Sequence, residues 1–114
     1  MNSFRYALCG IKTAWKTEEN LKIHFFIMLM VIVAGVTLKI NTTEWSVVLI
    51  LCGLVISLEL INTAIENAVD LVTKEYNEKA KNAKDIAAGA VLFSAIIAAI
   101  IGFIIFLPKI INII

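Results

Sequence analysis

Most of the features that announce chemistry in a soluble protein are scarce in this sequence. Its 114 residues include two cysteines, one histidine, one proline and five glycines, and the formal net charge is +1. Cys9 and Cys52 stand alone with no C-x-x-C spacing, which excludes a zinc ligand set and a redox pair. A net charge so close to zero gives no basic face for nucleic acid. No G-x-x-x-x-G-K-[ST] loop occurs, nor the glycine-rich loop and H-R-D set of protein kinases. Arg5, Lys12, Lys16, Glu18, Glu19 and Lys22 precede the first apolar block, and no small-residue cleavage site follows it. The N-terminus is therefore expected to stay in the mature protein rather than act as a cleaved signal. Internal repeats and low-complexity segments are absent as well.

What is abundant is apolar surface. Hydrophobic residues make up 61% of the chain, against roughly 45–50% in a soluble domain. A soluble protein of this size would leave large apolar patches exposed. An oligomerising soluble bundle is the alternative, but the apolar residues come in long blocks and not at amphipathic spacing. The pattern predicts one domain with an all-α integral membrane fold: three transmembrane helices plus an N-terminal amphipathic surface helix. Residues 1–22 are the surface helix, with Phe4, Leu8, Ile11 and Trp15 at helical spacing and basic residues between them. Residues 23–40 are the first span, with Lys39 snorkelling at its far end, and Asn41 to Glu44 are a tight polar turn. Residues 45–73 are the second span with a cytoplasmic extension. Residues 74–85 are a polar loop. Residues 86–107 are the third span, closed by Pro108, with a small-residue seam of Ala90, Ser94, Ala98 and Gly102. Such a seam lets helices approach closely, within the chain or between subunits. Trp15 and Trp45 are expected to be interface anchors. The basic residues Arg5, Lys12, Lys16, Lys22, Lys74, Lys79, Lys81 and Lys84 outweigh the lone Lys39 of the short turn, so the N-terminus and second loop are assigned to the cytoplasm.

The second span carries the chemistry. Residues 45–58 are almost wholly apolar but too few to cross a hydrocarbon core, which takes about 20 residues. The span must run on to about Ile65, drawing Glu59 and Asn62 into the membrane or to its edge. At about 100° per residue, Glu59, Asn62, Glu66 and Asp70 fall within about 80° of arc, with Thr63 beside them. An acid in a membrane span costs at least about 2.5–3.5 kcal/mol at the helix centre. Asn and Thr alone could hold helices together. Carboxylates on one line repel one another and call for a hard cation such as Mg²⁺. A carboxylate with little water around it is a stronger base, and Glu59 stands where a lipid hydroxyl would arrive. Glu66, about two turns further out, is better placed to hold metal. Lys84 and Asp85, just before the third span, can meet a phosphate. The set describes phosphoryl transfer from a cytosolic nucleotide to a membrane lipid alcohol, driven by positioning and charge neutralisation.

The run Glu59-Leu60-Ile61-Asn62-Thr63-Ala64-Ile65-Glu66-Asn67-Ala68-Val69-Asp70 closely resembles the signature of the prokaryotic diacylglycerol kinase family, small bacterial membrane kinases. Ala83-Lys84-Asp85, followed by Ile86-Ala87-Ala88-Gly89-Ala90-Val91-Leu92, also looks like that family, and the likeness covers nearly the whole chain. The resemblance implies a lipid kinase of the bacterial cytoplasmic membrane. It implies a homotrimer with active sites shared between subunits, using Mg-ATP. It makes Glu59 the catalytic base with Asn62 its neighbour, Glu66 a ligand of metal and nucleotide phosphate, Lys84 and Asp85 nucleotide-binding, and Asp70 supporting. Ala14-Trp15-Lys16-Thr17-Glu18 matches the family's surface helix, which makes Glu18 the second metal ligand and a nucleotide contact. Tyr6, Glu75, Tyr76 and Asn77 fall at nucleotide-contact positions.

The family divides by substrate. The K-D-x-A-A-G-A-V-L form, Asn20-Leu21-Lys22-Ile23-His24 before the first span and the lack of a longer N-terminal extension look more like the Gram-positive branch, which mainly phosphorylates undecaprenol. The expected substrate is undecaprenol, with diacylglycerol the alternative. A small cation-coupled transporter is the rival outside the kinases. It too needs a membrane carboxylate, but such proteins usually have four spans with the acid deep in the first. A pore or assembly factor would not need Lys84 and Asp85. His24, a lone histidine at the membrane boundary, is taken as an interfacial packing residue.

Overall fold

A computed structural model describes residues 2–114 as four helices: α1 (Ser3–Thr17), α2 (Glu19–Leu38), α3 (Thr42–Val72) and α4 (Glu78–Ile113). The last three are long and apolar enough to cross a membrane. Three of the four starts have a side-chain cap. The Asn2 side chain accepts a hydrogen bond from the Phe4 N–H at 3.1 Å. Asn41 and Glu44 form a reciprocal capping box at the start of α3, with bonds of 2.8 and 3.0 Å, so the polar turn is itself a helix start. Asn77 caps α4 by accepting from the Lys79 and Ala80 N–H groups.

Three features differ from the sequence-based expectation. The first helix does not run to residue 22. The chain turns at Glu18, whose backbone is extended, and Asn20 to Lys22 belong to α2. Ala14 and Leu21 pin this elbow; among the described residues Leu21 is the one large side chain with no exposure. The loop expected over 74–85 is shorter, because α4 starts at Glu78. Its Glu, Lys and Ala residues are good helix formers, and Asn77 supplies the cap. Pro108 does not close the last helix, which continues to Ile113. A proline inside a helix forfeits one backbone hydrogen bond. Next to it, Lys109 reaches Glu44 at 3.1 Å and ties the end of α4 to the start of α3.

Between α2 and α3 the chain reverses in a Schellman turn. Ile40 N–H bonds to the Gly35 carbonyl, Lys39 N–H to the Val36 carbonyl, and Lys39 has φ 55°. Trp45 lies against Gly35 here. A Cβ on Gly35 would meet the Trp45 ring at 2.7 Å and Ile40 at 3.1 Å, so Trp45 packs within the chain. Trp15 likewise packs edge-on against Phe25, with ring centres 5.3 Å apart.

The α3 helix packs mainly along α4, and Ala87, Val91, Ser94 and Ile105 of α4 are buried. Of the small-residue seam, Ser94 is buried, Ala98 and Gly102 are half-buried, and Ala90 is exposed. The buried apolar cluster is small: Ile40, Val48 and Ile105, with Trp45 and Phe106 against it. It sits at the end where α2 turns into α3, away from the acidic stripe. Large apolar side chains such as Phe26, Leu29, Ile50, Phe93 and Phe103 are outward-facing, as expected where the solvent is lipid. The chain is an integral membrane protein.

Two substitutions at the turn should act in opposite directions. Gly35→Val should lower the thermal unfolding midpoint in detergent, since overpacking costs about 1–3 kcal/mol. Lys39→Gly should raise it, because removing a side chain from a left-handed position is worth about 1 kcal/mol.

Candidate active site

The acidic stripe lies on one helix, α3, and grades from buried to open. Glu59 is 3% exposed, Thr63 5% and Asn62 8%. Glu66 is half-buried and Asp70 exposed. The buried polar groups are partly matched inside the helix. Thr63 Oγ1 donates to the Glu59 carbonyl at 3.0 Å, and Asn62 Nδ2 donates to Glu66 Oε1 at 3.0 Å. That leaves Asn62 Oδ1, which is buried with no partner. A buried acceptor is normally satisfied, so this oxygen is free to accept a hydrogen bond from a bound group.

The elbow at Glu18 swings α1 onto α2 and α3 and brings Glu18 close enough to Glu66 for their charges to repel. Glu59 and Asp70 add to that repulsion, and Lys84 opposes it. Among the described residues no group of three His, Cys, Asp or Glu side chains is set to ligate a metal. Two carboxylates, Glu18 and Glu66, suit Mg²⁺, which keeps several waters and takes substrate phosphates as further ligands.

At the open end of the stripe, a cavity of about 280 Å³ lies where α3 passes into α4. It is lined by Asp70, Glu75, Tyr76, Asn77, Lys84 and Asp85, with Lys74 and Lys81 at its sides. Lys84 Nζ meets Asp70 Oδ1 at 2.5 Å, and Lys81 Nζ meets Asp85 Oδ2 at 2.6 Å. The hydrogen bond to Asp70 holds the Lys84 ammonium above its ordinary value. Tyr6 does not line this cavity. It stands on α1, 64% exposed.

His24 was not among the residues assigned to chemistry from the sequence. It faces the stripe: Nε2 lies 3.7 Å from Glu59 Oε2, with side-chain exposures of 20% and 4%. A signal for this pairing was present. In an antiparallel helix pair, residues equally far from the turn are level. His24 lies fourteen residues before Leu38 and Glu59 seventeen after Thr42, a mismatch of only about 4.5 Å. His24 also borders a second, apolar cavity of about 300 Å³ between α2, α3 and α4, lined by residues such as Ile27, Val31, Val55 and Ala98.

A three-span membrane protein with a buried acid passing along one helix to an exposed basic and acidic cavity has the layout of an intramembrane phosphotransferase. A family model for prokaryotic diacylglycerol kinase matches residues 5–106, and the chain belongs to that family. An undecaprenol kinase from Bacillus subtilis is 45% identical over 107 residues, covering 94% of this chain and 87% of that protein. A diacylglycerol kinase from Synechocystis sp. is 45% identical over 111 residues. It covers 96% of this chain, which spans only 63% of that protein's length. A diacylglycerol kinase from Escherichia coli is 32% identical over 95 residues, covering 83% of this chain and 78% of that protein.

The Asp70–Lys84 pair is half-exposed on both sides. A double-mutant cycle with Asp70→Asn and Lys84→Met, read by thermal unfolding, should give a coupling of no more than about 1 kcal/mol. A coupling that small would leave the pair free to open. A much larger coupling would mark it as a fixed strut.

Proposed function

We propose that this protein transfers the γ-phosphate of Mg-ATP to undecaprenol in the bacterial cytoplasmic membrane. One observation carries the proposal: a single line of polar side chains on α3 runs from buried Glu59 to exposed Asp70. It joins the place where a membrane lipid presents its hydroxyl to the place where a soluble nucleotide enters. Glu59 takes the hydroxyl proton. Asn62, with its free buried oxygen, orients the hydroxyl or a water of the metal shell. Glu18 and Glu66 would hold Mg²⁺, which would neutralise charge on the phosphates. Glu75, Tyr76, Asn77, Lys84 and Asp85 would hold the nucleotide at the mouth of the site, and Asp70 would keep Lys84 in position. The apolar cavity beside His24 suits a hydrocarbon tail. The basic residues of the N-terminal segment and of the stretch from Lys74 to Lys84 support a cytoplasmic N-terminus and site.

Undecaprenol is supported by the Bacillus subtilis relative, whose name is that activity and whose length this chain nearly matches. Diacylglycerol is the second candidate, since the Synechocystis diacylglycerol kinase is equally similar at 45%. A homotrimer with shared sites belongs to the same proposal. It is supported by Tyr6, which stands exposed on α1 outside the cavity proposed for the nucleotide in its own chain.

Labelled ATP offered with undecaprenol and diacylglycerol side by side should label undecaprenol preferentially, and chelating the Mg²⁺ should stop the reaction. No transfer to either lipid by folded protein would sink the kinase proposal. Glu59→Gln should cut kcat by at least about a hundredfold and leave nucleotide affinity nearly unchanged. Glu66→Gln should weaken Mg-nucleotide binding by about tenfold, or 1.4 kcal/mol. Near-normal turnover in Glu59→Gln would remove Glu59 as the base.

A further inference from the structure

We propose that His24 carries the proton away from Glu59 after each phosphoryl transfer, so that the base is reset by a relay across from α2. This rests on the lipid-kinase proposal and adds a step to it. A base buried to 3% exposure can take a proton from a lipid hydroxyl once. To act again it must pass that proton to water. The stripe itself offers no route. Thr63 already donates to the Glu59 backbone carbonyl and Asn62 to Glu66, and an amide does not relay protons at neutral pH. Glu66 is about 10 Å further along the helix.

The His24 imidazole is the basic group within reach of Glu59 among the described residues, at 3.7 Å. That is longer than a hydrogen bond, and a rotation of the ring or one intervening water closes it. The His24 side chain is also more open than its partner, at 20% against 4%, and it lies only five residues from the start of α2 at Glu19, which puts it at the same end of the span as the head groups. An imidazole has two ring nitrogens, so it can take a proton on one and give up a proton from the other. From α3 and α4, the walls of the adjoining cavity bring no ionisable group besides Cys52.

In the step, the lipid oxygen forms its bond to the γ-phosphorus as the bond from that phosphorus to the β-phosphate bridging oxygen breaks. ADP leaves with the electron pair. The hydroxyl proton goes to Glu59 and then to His24 Nε2, the imidazolium so formed releases its Nδ1 proton to water, and proton exchange with water returns the ring to the Nδ1–H form for the next turnover. The net products are lipid phosphate, ADP and one proton. His24 acts through Glu59 and is a positioning and relay residue, not a contact of the reacting atoms.

The test compares unaltered protein with His24→Ala and His24→Gln in detergent micelles containing the lipid alcohol. Both variants should lose at least about tenfold in kcat, with KM for Mg-ATP and for the lipid within about twofold of the unaltered values. Added imidazole should restore much of the lost kcat in His24→Ala, which leaves room for it, and little in His24→Gln. Unchanged kcat in both variants would overturn the relay. So would a loss confined to KM, or a kcat loss that imidazole does not repair in folded His24→Ala, since those are the marks of a packing role. An inactive unaltered protein in the same assay would overturn the kinase proposal, and the relay with it.

Discussion

Everything in this structure turns on one carboxyl group placed where water is scarce. An ionised acid in an apolar interior loses several kcal/mol of hydration, and Glu59 is almost fully covered. The elbow at Glu18, fixed by Ala14 and Leu21, sets α2 so that His24 meets that acid. The same elbow carries Glu18 towards Glu66. The Schellman turn at Lys39 and the capping box at Asn41 fix how far α2 and α3 slide past each other, and so which residues lie level. At the far end, Glu44 and Lys109 tie α4 to α3. The small buried cluster around Val48 and Ile105 holds the helices without touching the site.

The stripe was legible in the sequence because a helix has a fixed angular step. Glu59, Asn62, Glu66 and Asp70 differ by threes and fours, and polar residues at that spacing in an apolar run share a face whatever the packing around them. The three spans were legible for a similar reason, since length and composition alone decide them. What sequence patterning did not deliver depended on relations between elements. Glu18 sits in a stretch of ordinary helix formers, and only the packing of Ala14 and Leu21 reveals that the chain bends there. The residues from Glu78 to Asp85 look like a loop by polarity. They are helical because Asn77 caps them and because α4 extends beyond the lipid. Pro108 looks like a stop, but the lost hydrogen bond is one among many in a helix whose end is anchored by Lys109. The approach of His24 to Glu59 was not legible because it depends on a partner on another helix.

The length of α3 explains why a single helix can serve two phases. Its 31 residues make it about 46 Å long, while the hydrocarbon core is about 30 Å thick. The excess is about 16 Å. Glu59 and Asp70 are eleven residues apart on that helix, which is also about 16 Å. Measured from the capped start at Thr42, the core runs out near Asn62. For a helix normal to the membrane with Thr42 at its edge, Glu59 would fall in the last turn inside lipid, and Glu66 and Asp70 on the protruding part. The head group of a lipid cannot be pulled far from this boundary, and a nucleotide cannot be pushed far into it, because each displacement exposes apolar or buries charged surface. A polar line crossing the boundary removes the need for either. In the proposed reaction the acceptor would stay at its natural depth and the donor in water, and the few polar residues of the chain would cover the short distance between them. The rest of the chain can then be almost wholly apolar, as its composition is.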